Sequence, residues 1–256
     1  MAQSVEALNV TRVKRSRKNR EVYVIEDPKT QRTVVLKLYT ADTHARRECK
    51  ALSLCQGDPH FVRLLDCHAG DDYSFLITEY VEGETMAKML VRQVPLEPRK
   101  VIELAIDVLT GLQTMHEHGI VHGDLQGRNI IVTDLDRART KIIDLQHSVK
   151  IKKNSGKAKA LRKTPQEHIM FPPEGKDGVI DQRYDIYCLG YVCACLLTGV
   201  KWDIDPPEPI CALDTRPLAQ PLWKIIRKAM HPDPEMRFGS AAEMIRALRN
   251  TLRGGN

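Results

Sequence analysis

The chain has 256 residues, 42% hydrophobic and 28% charged, enough for one compact unit or two small lobes with a core. Its longest apolar stretch, Tyr191 to Val200, is about half of what a membrane span needs, and Met1-Ala2-Gln3-Ser4-Val5-Glu6 is no signal-peptide core, so a cytoplasmic protein is expected, whether it works in its own cell or is delivered into another. The net charge of +6 gathers in two places, Arg12, Lys14, Arg15, Arg17, Lys18 and Arg20 against Glu6, and Lys150, Lys152, Lys153, Lys157, Lys159, Arg162 and Lys163 against Glu167; local patches without a nucleic-acid-binding motif point to phosphate or acidic partners and not to nucleic acid.

In chain order, Val22-Tyr23-Val24-Ile25 and Thr33-Val34-Val35-Leu36-Lys37-Leu38-Tyr39 predict two strands joined by a turn at Asp27-Pro28-Lys29-Thr30. Lys37 interrupts an apolar run, either on the solvent face of an edge strand or as a cation with a task. Glu48, Ala51, Leu52 and Cys55 repeat at helical spacing. A turn at Gly57-Asp58-Pro59-His60 then leads into the strand Phe61-Val62-Arg63-Leu64. Ser74-Phe75-Leu76-Ile77-Thr78-Glu79-Tyr80-Val81 reads as a further strand, ending in Glu82-Gly83-Glu84. Val101, Leu104, Ala105, Val108, Leu112 and Met115 predict a long helix buried on one side.

The next stretch is the most informative. In Ile120-Val121-His122-Gly123-Asp124-Leu125-Gln126-Gly127-Arg128-Asn129-Ile130-Ile131-Val132, two short strands bracket a polar loop, and Lys141-Ile142-Ile143-Asp144 follows. Two carboxylates and a carboxamide are delivered together. Phosphoryl transfer needs one carboxylate to orient a hydroxyl, and an Asn and an Asp to hold magnesium on the phosphates. Beyond it lie a lysine-rich polar segment, Thr164-Pro165, and Phe171-Pro172-Pro173-Glu174. Tyr184-Asp185-Ile186-Tyr187-Cys188-Leu189-Gly190 opens an apolar helix, and His231-Pro232-Asp233-Pro234-Glu235-Met236-Arg237 precedes a final amphipathic one. Seven cysteines, Cys49, Cys55, Cys67, Cys188, Cys193, Cys195 and Cys211, show no CxxC pair and are expected to be buried thiols, with no structural zinc.

The pattern H-x-D-L-x-x-x-N followed by a hydrophobic-D resembles the catalytic and metal-binding loops of the protein kinase superfamily. Val34-Val35-Leu36-Lys37 resembles its V-A-I-K strand, the helix around Glu48 its αC helix, Pro172-Pro173-Glu174 its A-P-E, and Asp185 to Gly190 its D-x-W/Y-x-x-G. The resemblance spans residues 10 to 250. It implies an α+β, two-lobed fold: a small, mainly β N-lobe over residues 1–81, a hinge near 79–84, and a mainly helical C-lobe over 82–256. It implies ATP and Mg as cofactors. Asp124 is then the catalytic carboxylate, with Lys37 and Arg128 beside it. Asn129 and Asp144 are the metal ligands. Lys37, Glu48, Val22, Val35, Thr78, Glu79, Val81 and Ile131 are placed at the nucleotide, Thr78 as gatekeeper. Glu174 and Arg237 are expected to form an ion pair.

Departures from the pattern shape the function. Where the family has a glycine-rich loop, Arg15-Ser16-Arg17-Lys18-Asn19-Arg20 has no glycine, which implies phosphate contacts from side chains, a lost nucleotide grip, or a solvated turn. Gly123 replaces an Arg that receives an activation-segment phosphate, implying activity independent of one. Leu145-Gln146 replaces Phe-Gly after Asp144, which keeps the metal ligand and implies a stiffer backbone. Gln126 replaces a Ser/Thr-kinase Lys, while Arg128 resembles the tyrosine-kinase arrangement and Thr164-Pro165 a Ser/Thr segment. His-Gly-Asp is also similar to aminoglycoside and choline kinases. The proline-rich Lys201 to Pro221 shortens or removes a docking helix. The expected function is a protein kinase, Ser/Thr by choice, with a protein substrate, acidic in character, docking on the basic activation segment. The alternatives are a pseudokinase scaffold or nucleotide sensor, and then a small-molecule kinase.

Overall fold

The computed structural model describes residues 9–17, 20–27, 30–40, 42–70, 72–152, 154–160, 170–176, 178–200 and 215–254, with backbone alone for 9–17 and 42. Thr164-Pro165 and most of the proline-rich stretch lie outside them.

The N-terminal part is an antiparallel sheet in the order β1-β2-β3-β5-β4: β1 (Asn9–Arg17), β2 (Arg20–Glu26), β3 (Thr33–Tyr39), β4 (Leu64–Ala69) and β5 (Ser74–Glu79). Arg15 to Arg20, expected to be a loop, falls largely in strand: Arg15 pairs with Val22 and Arg17 with Arg20. Strand alternation decides which side chains face the cleft. Along β3, Val34, Leu36 and Lys37 are buried and Val35 half-buried. Lys37 therefore lies in a central strand, between Val22 of β2 and Leu76 of β5. The solvent-facing edge position is ruled out.

Helix α1 (Asp42–Leu54) turns Ala45, Glu48, Ala51 and Leu52 inward. It is also tied to β4 by a disulfide between Cys49 and Cys67, whose Cα atoms are 6.3 Å apart. The expectation of buried thiols fails for this pair, because helix and strand pack side by side and bring together two residues far apart in sequence. It holds for Cys55, Cys188, Cys193 and Cys195, while Cys211 lies outside the described residues.

After the short β6 (Glu84–Thr85) and α2 (Met86–Met89), the chain becomes helical. In α3 (Pro98–Glu117) proline occupies the first turn, where its missing N–H costs nothing, and Val101, Leu104, Ala105, Val108, Leu112 and Met115 are buried as their spacing predicts. Next come β7 (Ile120–Val121), β8 (Ile130–Asp134), β9 (Arg139–Ile142), β10 (Val149–Lys150), β11 (Ala158–Lys159) and β12 (Val179–Ile180). Helix α4 (Arg183–Thr198) is buried on all sides from Tyr184 to Leu197, so it forms the centre of the helical part. At Gly190 a Cβ would lie 2.9 Å from Met230 Cγ and 3.0 Å from Ala229 Cβ. Only glycine lets α5 (Ala219–Ala229) approach so closely. The last described helix is α6 (Ala241–Gly254), which buries Ala241, Met244, Ile245 and Leu248. No described helix is long and apolar enough to cross a membrane.

A polar junction joins the sheet to the helices. His60 lies after α1, with Nδ1 2.7 Å from Asp58 and Nε2 3.5 Å from Asp107 of α3. Asp58 also accepts from Thr114, and Asp107 accepts from Thr140 while sitting 3.5 Å from Arg139. The hydrogen bond to Asp107 raises the His60 pKa above its ordinary value, opposed by burial and assisted by Asp58. A raised histidine pKa contributes stability that is full below about pH 6.5 and is lost as pH rises through the folded value. Thermal melting between pH 6 and pH 8 is therefore expected to fall more steeply for the wild type than for His60→Gln. Parallel curves would contradict this.

Candidate active site

The site is built where β9 meets both parts of the protein. Ile142 N–H donates to His60 C=O (2.7 Å) and Val62 N–H donates to Ile142 C=O (3.2 Å), which fixes β9 to the loop after α1. Ile143 N–H donates to Asn129 C=O (2.8 Å), fixing it to the polar loop ahead of β8. Asp144 comes two residues after Ile142, so its position is set from both sides. It takes a left-handed φ of +67°, a conformation that Asp tolerates better than most residues.

Asp124 is 2% exposed. Its Oδ1 accepts from Gln126 Nε2 (2.5 Å) and its Oδ2 from Arg128 Nη2 (3.1 Å). Its own N–H faces His122 Nδ1 (3.3 Å), and its C=O accepts from Asn129 Nδ2 (2.8 Å). Below the loop, Asp185 at the start of α4 is fully buried and accepts from the N–H groups of His122 (2.8 Å) and Gly123 (3.0 Å), with His116 Nε2 at 2.9 Å. A buried carboxylate receiving two amides holds a turn rigidly. Gly123 has φ +72°, and a Cβ there would sit 2.9 Å from His147 C=O. Glycine is thus demanded by the backbone of this loop.

From the sheet, Lys37 Nζ lies 2.5 Å from Glu48 Oε1, and Glu48 Oε2 accepts from the Tyr39 hydroxyl. Leu145 N–H reaches the same Glu48 oxygen at 3.3 Å, and its side chain is fully buried. The αC-type glutamate therefore touches both the lysine strand and the residue after Asp144. Thr78 is buried on β5 opposite Val35, and Ile131 is buried on β8 opposite Lys141. Val22 and Val81 are half-buried. The Glu79 carboxylate turns to Lys141 (2.5 Å) and Arg63 N–H (3.1 Å), which leaves any nucleotide role to its backbone.

Asp144 has a partner that the sequence did not announce. Arg20, the first residue of β2, donates from Nη1 to Oδ1 (2.7 Å) and from Nη2 to Oδ2 (3.0 Å). The two side chains are only 10% and 14% exposed. Burial acts to raise the Asp144 pKa, but the charge of Lys37 and the guanidinium of Arg20 outweigh it and hold the carboxyl well below the usual range.

The donor chemistry suits magnesium. Asp144 and Asn129 offer a carboxylate and a carboxamide oxygen, and the bond from Asn129 Nδ2 to Asp124 commits the amide nitrogen elsewhere. Magnesium takes one or two protein oxygens and completes its shell with phosphates and water. Among the described residues no cluster of three or more His, Cys, Asp or Glu forms a full cage. What magnesium would meet is a carboxylate already gripped by Arg20.

Both the sequence and the fold are similar to those of known proteins. Residues 9–247 match the family model described as protein kinase domain. A probable serine/threonine-protein kinase of Clostridium perfringens is 29% identical over 211 residues, covering 78% of this chain and 30% of the relative. Serine/threonine-protein kinase PrkC of Bacillus subtilis is 26% identical over 252 residues, covering 87% and 37%. The chain thus spans about a third of the length of these relatives. The solved structure of the Cydia pomonella granulovirus kinase PK-1 shares the fold with a TM-score of 0.76 at 18% identity, covering 96% of this chain and 95% of that one.

Proposed function

Because the chain belongs to the protein kinase domain family, we propose that it is a protein kinase that moves the γ-phosphate of ATP to a serine or threonine hydroxyl of a protein. The observation that carries this reading is Asp124, a buried carboxylate held by Gln126 and Arg128 on a loop that Asp185 locks. A carboxylate so placed orients the acceptor hydroxyl and takes its proton. Lys37, fixed by Glu48, holds the α- and β-phosphates, and the backbone of Glu79 and Val81 receives the adenine against Val22, Val35, Thr78 and Ile131. Asn129 and Asp144 would hold magnesium, which supplies neutralisation of phosphate charge when bound. The lobes divide between Val81 and Glu82. Exposed Lys150, Lys152, Lys157 and Lys159 support docking of an acidic protein substrate.

Magnesium and ATP together are expected to raise the melting temperature. A ligand at a hundred times its Kd adds about 2.7 kcal/mol of stability. ATP without effect, with or without magnesium, would contradict the reading. A catalytically silent, nucleotide-sensing scaffold remains the second reading, favoured by the occupation of Asp144 by Arg20; it predicts nucleotide binding without phosphate transfer.

Activity is proposed to need no activation-segment phosphate, since Gly123 offers no side chain to receive one. The double variant Ser155→Ala, Thr164→Ala should keep turnover within a few-fold of wild type in a phosphotransfer assay. Complete loss would contradict the proposal.

A further inference from the structure

We propose that Arg20 gates the metal site: its guanidinium and a divalent cation are alternative occupants of Asp144, so that the metal enters only together with a nucleotide. The inference rests on the reading of Asp144 as a metal ligand given above.

The argument begins with charge. Four ionic groups meet at the cleft, Lys37 and Arg20 against Glu48 and Asp144. Lys37 pairs with Glu48 at 2.5 Å and Arg20 with Asp144 at 2.7 and 3.0 Å. The charges of these four balance, and His147 adds further positive potential at Asp144. A divalent ion added alone would bring two positive charges beside a guanidinium in a site only 10–14% exposed, where screening by water is weak. Both oxygens of Asp144 already accept from Arg20 in the planar, two-pronged geometry that arginine forms with carboxylates. Each oxygen keeps a further lone pair, but an ion bound there would share the carboxylate with a guanidinium, whose charge opposes entry until the fork leaves.

A nucleoside triphosphate changes the balance. Its phosphates bring the negative charge that the metal needs, and they offer a displaced guanidinium new acceptors. Arg20 is placed for this exchange. It opens β2, pairs with Arg17 across the sheet edge and with Tyr39 on the other side, and reaches across the cleft to a residue 124 positions away. The glycine-free stretch that ends in Arg20 thus supplies a cation that moves between carboxylate and phosphate. Metal and nucleotide should then bind with strong mutual coupling, set by Arg20.

The test is a titration of the full chain with Mn²⁺, free ion being counted by electron paramagnetic resonance, alone and with a non-hydrolysable ATP analogue. Wild type is expected to bind Mn²⁺ weakly alone and far more tightly with the analogue. Arg20→Gln should bind Mn²⁺ alone at least tenfold more tightly, with a smaller gain from the analogue. Arg20→Lys keeps the charge but not the fork and should fall between them, which covers the case of a poorly folded Gln variant. The double variant Arg20→Gln, Asp144→Asn should lose the gain. Equal Mn²⁺ affinity in wild type and Arg20→Gln, with tight analogue-dependent binding in both, would overturn the gate and leave the kinase reading standing. A gain that persists without Asp144 would overturn it too, by placing the ion elsewhere. Failure of every form to bind Mn²⁺ with the analogue would remove the kinase reading and the gate together.

Discussion

Arg237→Ala is expected to destabilise the protein by about 3–5 kcal/mol, because it strands a carboxylate inside the helical part. The Arg237 side chain is 0% exposed and Glu174 17% exposed. Their contact is two-pronged, Nη1 to Oε1 at 2.6 Å and Nη2 to Oε2 at 2.8 Å. The same guanidinium donates to the C=O groups of His231 (2.7 Å), Pro232 (3.0 Å) and Arg183 (3.3 Å), and lies 4.9 Å from the Tyr187 ring centre. One side chain thus ties the end of the Phe171-Pro172-Pro173-Glu174 stretch to the start of α4 and to the loop ahead of α6. Lysine cannot make these bonds together and should rescue little. Urea unfolding followed by circular dichroism checks the expectation: the midpoint should fall with the slope unchanged. A loss below about 1 kcal/mol would mean that the pair is effectively solvated.

Asp124→Asn is expected to lower kcat by about 10²- to 10⁴-fold with little change in nucleotide affinity. Asparagine keeps the shape of the side chain but cannot take a proton. One face of the new amide would also present N–H groups to Gln126 or Arg128, which now donate to the carboxylate. The loop itself should survive, since its amides are held by Asp185 and its carbonyl by Asn129. Steady-state kinetics beside an ATP melting shift separates the two effects. A kcat within tenfold of wild type would remove Asp124 from the proton transfer.

The parts that could be read from the sequence were those written in local spacing. Lys37 in an apolar strand, Glu48 on an amphipathic helix, and Asp124, Asn129 and Asp144 around two short strands all depend on neighbours in the chain. The family resemblance supplied the long-range pairing of Glu174 with Arg237. What escaped were contacts set by register and packing. Arg20 belonged to a stretch read as a loop, and only the pairing of β2 with β3 turns it towards Asp144. The Cys49–Cys67 bridge depends on α1 lying along β4, a relation with no periodic signature. The His60 junction needs two carboxylates from distant segments, Asp58 and Asp107. Asp185 did carry a signal, since it opens a recognisable motif, yet its bonds to the His122 and Gly123 amides emerge only when α4 packs beneath the loop.

The central claim is phosphate transfer from ATP to a protein hydroxyl, and one measurement addresses it most directly. The chain is incubated with γ-labelled ATP and magnesium, with acidic and basic protein substrates, beside Asp124→Ala, and labelled residues are identified by mass spectrometry. The account predicts label on serine or threonine that disappears in the variant and is stronger on the acidic substrate. No label on any substrate, from a protein that still binds ATP, would contradict it and favour the scaffold.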